Sequence, residues 1–165
     1  MTEEMDKLIE AFGIMLGEVS PHEISRVPRD VLVEVVSHPK ASREVLVAVA
    51  KKLADPWAEG VDRTLGMGTD AEMLVKAILA NPNKTQEVEK VLASSKTGAI
   101  RDMLLSNYEN VSCETLHDMA LRYARGEFWG YGYQKDERER VRRVLEEKRC
   151  PLPTVGERFK AWWER

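Results

Sequence analysis

Three segments of this chain repeat one pattern: Val31–Ala50, Leu74–Ala93 and Ile100–Ala120. Each opens with three apolar residues at the same offsets. Val31, Val35 and Val36 match Leu74, Ile78 and Leu79, then Ile100, Leu104 and Leu105. That spacing places them on one face of a helix. His38-Pro39, Asn81-Pro82 or Asn107-Tyr108 follows. A proline disfavours the α conformation in the residue before it, so the first helix should end there. A hydroxyl residue comes next, with a glutamate two places on: Ser42 and Glu44, Thr85 and Glu87, Ser112 and Glu114. This reads as a helix N-cap with a carboxylate at the positive end of the helix dipole. Val49-Ala50, Leu92-Ala93 and Met119-Ala120 then close each unit with a second stripe. Paired short helices of this kind bury their stripes by stacking on their neighbours, so the pattern predicts a helical fold built from such pairs.

The spacing is uneven. Asn81 and Asn107 are 26 positions apart, whereas His38 and Asn81 are 43 apart. The excess falls at about 55–70, a stretch containing Pro56, Gly60, Gly66 and Gly68, which reads as an insertion loop. The N-terminus offers a degenerate unit, with a Leu8, Phe12, Met15 and Leu16 stripe before Ser20-Pro21-His22-Glu23. The expected fold is all-α: a short α-solenoid-like stack of two-helix repeats, closed by C-terminal helices. Residues 1–125 form the helical-repeat body and 126–165 a basic aromatic region packed on the same domain.

Leu79-Ala80-Asn81-Pro82 with Thr85, Glu87-Val88 and Leu92-Ala93 resembles the variant leucine-rich repeat, a HEAT-like helical-repeat family. Ile100-Arg101 leading to Leu105-Ser106-Asn107 continues the likeness, which covers about residues 30–122. The long first spacing and Tyr108 in place of proline depart from that pattern. The resemblance implies a curved helical stack that binds something along one face.

Charge and aromatics divide the chain. Residues 1–120 carry 13 basic and 20 acidic side chains, and 121–165 carry 12 and 8. Of the 11 aromatics, 8 follow position 120. The run Gly126–Tyr133 alternates glycine with aromatics and suits a contact loop better than a helix. Gln134–Arg149 reads as a charged helix with Val141, Val144 and Leu145 inward and its ionic residues on a solvated face. Trp129, Tyr131, Tyr133, Arg138 and Arg142 are therefore the expected partner-binding residues, because Trp, Tyr and Arg dominate binding hot spots. Pro151 and Pro153 end that helix. A last helix, at about 154–163, has Phe159, Trp162 and Trp163 on one face and is expected to cover the end of the stack, the alternative being presentation to a partner as an amphipathic anchor.

No constellation for catalysis stands out, and neither a cofactor nor a metal is expected. His22, His38 and His117 lie far apart. Cys113 and His117 share a helix face but lack further ligands or an orienting partner. Two cysteines make no disulfide framework, which together with the acidic N-terminus and the lack of a long apolar run suggests a cytoplasmic protein with no membrane association. The expected function is a non-enzymatic interaction or adaptor protein that binds a protein partner. The alternative is a nucleic-acid-binding accessory protein. That alternative draws on the basic aromatic tail and on Thr85–Leu104, a loose helix-turn-helix likeness with Lys96 and Arg101 near its second helix.

Overall fold

The computed structural model describes residues 27–55, 68–127 and 134–164. These residues are all-helical, with eight α-helices and no strand among them. In chain order they are α1 (Arg29–Ser37), α2 (Arg43–Ala54), α3 (Gly68–Ala80), α4 (Gln86–Ala93), α5 (Gly98–Ser106), α6 (Cys113–Ala124), α7 (Gln134–Glu147) and α8 (Val155–Trp163). A 3-10 turn, Tyr108–Asn110, lies between α5 and α6. Helix α3 begins inside the stretch expected to be an insertion loop. The rest of that loop and the N-terminal unit lie outside the described residues.

The nine residues that open the three segments are all buried. They face one another because α1 packs on α3, α3 on α5 and α5 on α7. The second helices form a parallel series: α2 packs on α4, α4 on α6, and α6 on both α7 and α8. Contacts of α2 with α3 and of α4 with α5 join the two rows. Val141, Val144 and Leu145 of α7 complete the core.

Polar side chains tie the turns together. The Asn81 amide nitrogen donates to the carbonyls of Val36 and His38, at 2.8 and 2.9 Å. That of Asn83 donates to Pro39 and Ala41, at 2.7 and 2.8 Å. The second turn therefore satisfies carbonyls left open where α1 ends. Gln86 reaches on to Glu114 at 2.6 Å.

Two of the three expected caps form. The Ser42 hydroxyl accepts from the Val45 N–H at 3.2 Å, and that of Ser112 from Thr115 at 3.3 Å. Thr85 occupies the N-cap position of α4 without a side-chain cap bond, and its hydroxyl is buried with no hydrogen-bond partner. Two residues beyond α6 and α7 stand Gly126 and Arg149, both in the left-handed region. At each end the N–H of that residue and of the one after it fold back onto the last turn: Gly126 to Tyr123 and Glu127 to Arg122, then Arg149 to Glu146 and Cys150 to Leu145.

Candidate functional site

Two charged side chains occupy places where the other segments carry aliphatic ones. One place after Val31, Leu74 and Ile100 stand Leu32, Val75 and Arg101. All three are buried, and Arg101 has no exposed surface. Its Nη2 donates to both oxygens of Glu137, at 3.2 and 2.9 Å, and its Nη1 to the Ser95 carbonyl at 2.6 Å. Nε is shared between Glu137 and the Tyr123 hydroxyl, each at 3.2 Å. Tyr123 in turn donates to Glu137. Burial, and next the Glu137 carboxylate, raise the phenol's pKa, so it remains a donor. Gly98 at the start of α5 leaves room for this carboxylate, because a Cβ there would lie 3.1 Å from Glu137 Oε1.

Four places after Ser42, Thr85 and Ser112 stand Leu46, Glu89 and Leu116, all buried. Glu89 Oε1 accepts from the Ser112 N–H at 2.9 Å and from the Ser112 and Thr115 hydroxyls, both at 2.8 Å. Lys84 Nζ lies 2.9 Å from Glu89 Oε2 and also donates to the Asn110 carbonyl. Burial raises the Glu89 pKa. The bonds from Lys84, Ser112 and Thr115 outweigh it, and the carboxyl is held below its ordinary value. Lys148 Nζ donates to the carbonyls of Tyr108, at 2.9 Å, and Val111. The start of α6 is thus gripped from α4 and from the end of α7.

These bonds correct the expectation of a fully solvated ionic face on α7: Glu137 and Lys148 point inward. Of the two cations named for the helix-turn-helix likeness of Thr85–Leu104, Arg101 is spent in the interior, and Asp102 pairs with Arg140.

The cysteines differ from expectation as well. Cys113, the first residue of α6, and Cys150, just beyond α7, form a disulfide with Cα atoms 5.4 Å apart. The fold-back at Arg149 turns Cys150 toward α6. Cys113 is therefore no free thiol for His117 to activate. His117 instead lies 3.3 Å from Glu157 of α8. Among the described residues no group of three or more His, Cys, Asp or Glu is placed to hold a metal ion. No helix among them is long and apolar enough to cross a membrane.

Of the expected binding residues, Trp129, Tyr131 and Tyr133 lie outside the described residues. Arg138 and Arg142 come together on α7 and line one cleft of about 540 Å³ between α6, α7 and α8. Arg158 of α8 joins them, a residue that sequence spacing did not single out. Leu145, Leu152 and Pro153 supply the apolar wall, and Tyr123 connects the cleft to the buried Arg101–Glu137 pair. Arg142 is held by Glu139 at 2.8 Å and Glu146 at 3.7 Å, one turn to either side. A larger groove of about 830 Å³ runs between α2 and α4, with Ala48 and Val91 inside and Lys51, Lys52, Lys90 and Lys96 around it.

Fold and cleft together define an all-helical protein with an arginine-lined cleft near its C-terminal end. Compared with family models, with curated proteins and with solved structures, the chain matches none.

Proposed function

We propose that this chain is a non-enzymatic interaction protein, a short α-solenoid-like stack of helix pairs that binds a protein partner at the cleft between α6, α7 and α8. The observation that carries this reading is the meeting of Arg138, Arg142 and Arg158 around one apolar-walled cleft whose single acidic lining residue, Glu139, is paired with Arg142. Guanidinium groups pair with carboxylates in a two-pronged geometry, and the apolar wall suits an aliphatic or aromatic neighbour of that carboxylate. An acidic segment of a partner protein therefore fits best. The two rows of helices, each packed on the next in sequence order, support the stack. The Cys113–Cys150 bridge favours an oxidising setting over the reducing cytoplasm.

The test is a quantitative capture experiment with the native chain and with Arg138→Ala/Arg142→Ala/Arg158→Ala. One protein retained by the native chain and lost by the triple variant, with helicity unchanged, is the expected result. Equal retention by both removes the cleft. Binding to DNA or RNA that falls steeply with the logarithm of salt concentration would transfer the assignment to the nucleic-acid alternative.

A further inference from the structure

The last helix packs the opposite way from an ordinary surface helix. Thr154 and Glu157 form a reciprocal capping box, with bonds of 3.0 and 3.1 Å, so α8 starts at a defined residue. The side it lays on α6 is small and polar: Ala161 is buried and Glu157 meets His117. Its aromatic side faces water. Val155 is 74% exposed, Phe159 63%, Trp162 45% and Trp163 74%. The Phe159 and Trp162 rings are neighbours, with centroids 6.1 Å apart. The expectation that these aromatics cover the end of the helical stack is therefore corrected: α8 covers α6 with its Ala161 side, and Val155, Phe159 and Trp163 are left mostly exposed.

We propose that this stripe is a self-association surface, and that two copies of the chain pair through α8, antiparallel about a twofold axis at Phe159. This goes beyond the cleft reading and does not depend on it. The first support is area. An aromatic side chain buries ~150–250 Å² when enclosed, so the four residues offer on the order of 500 Å² per copy. Two such patches face to face remove on the order of 1,000 Å², the size at which specific interfaces begin. The second support is shape. A twofold contact must be self-complementary. With Phe159 on the axis, Val155 of one copy lies opposite Trp163 of the other, a small side chain against a large one at both ends of the contact. The third support is charge. Between Val155 and Glu164 the helix carries Glu157, Arg158, Lys160 and Glu164, two of each sign, so a second copy meets no net repulsion. Lys160 and Glu164 already lie 3.9 Å apart, beside the stripe.

Sedimentation velocity over a range of protein concentrations reads the association directly. The native chain should pass from monomer to dimer as concentration rises. Phe159→Glu places two carboxylates at the axis and should weaken association by roughly 30-fold or more, the loss of one hot-spot side chain. Its helicity should be unchanged, and so should its melting temperature at concentrations where the native chain is monomeric, because Phe159 is mostly exposed. Register is tested by exchange: Val155→Trp should weaken the dimer, and Val155→Trp with Trp163→Val should restore it. A native chain that stays monomeric throughout overturns the proposal, as does a dimer indifferent to Phe159→Glu. A monomer that floats with phosphatidylglycerol-containing vesicles and loses that binding on Phe159→Glu also overturns it, and assigns the stripe to a lipid surface.

Discussion

Removing the Glu137 carboxylate should destabilise this protein more than any exposed ion pair would. Arg101 is fully enclosed, and Glu137 supplies the acceptor for Nη2 and part of that for Nε. In Glu137→Ala the guanidinium keeps its bonds to the Ser95 carbonyl and the Tyr123 hydroxyl but loses the Glu137 carboxylate. Removing one member of a buried pair costs about 3–5 kcal/mol. For a chain of this length that corresponds to a fall in melting temperature of about 10 °C. Arg101→Leu/Glu137→Leu removes both charges, and its loss should be much smaller, because Leu32 and Val75 already show that an aliphatic side chain fits this place in the other units. Urea titration followed by circular dichroism, on Arg101→Leu, Glu137→Leu and the double, yields the coupling between the two sites. A loss under about 1 kcal/mol for Glu137→Ala, the range of solvated surface pairs, would refute the argument that α7 is held by a buried charge.

Three further outcomes follow from the same geometry. Reducing the Cys113–Cys150 bond opens a link spanning 37 residues, and closing a loop of that length stabilises by about 4 kcal/mol, so melting with and without dithiothreitol should differ clearly. Ser42→Ala should cost ~1 kcal/mol, whereas Thr85→Val should be neutral or stabilising in the same denaturation assay, since only the first hydroxyl makes a cap bond. Glu89 has a lowered pKa in the folded chain, so its contribution is complete above the ordinary carboxylate pKa and is lost as pH falls through the lower folded value. The acid limb of a stability–pH profile should therefore flatten in Glu89→Gln.

The helices and their inward faces were legible in the sequence because they follow from local rules. Apolar spacing marked Val31, Leu74 and Ile100 with their partners, all buried as expected. Proline and hydroxyl residues marked the ends, and Thr154–Trp163 was placed almost to the residue. Arg138 and Arg142 could be put on one face of one helix, since a single helix fixes that relation. Arg158 could not join them from sequence, because its approach depends on how α8 lies across α6 and α7.

A signal for the buried charges was nonetheless present. Arg101 and Glu89 stand in columns otherwise filled by Leu32 and Val75, and by Leu46 and Leu116. A charge at such a place is paired or the fold fails, but the identity of the partner is not local information. Glu137 lies 36 residues beyond Arg101, and beside the nearby Lys84 the groups that hold Glu89 are Ser112 and Thr115 at the start of α6. The same limit governed the cysteines: a separation of 37 residues says nothing about distance until α7 has docked on α6 and its last turn has folded back. It governed α8 most of all. Its amphipathic pattern specified which residues share a face, and periodicity carries no sign for which face meets the body. Packing against α6 decided that, admitting the small Ala161 side and leaving Phe159 and Trp163 in water.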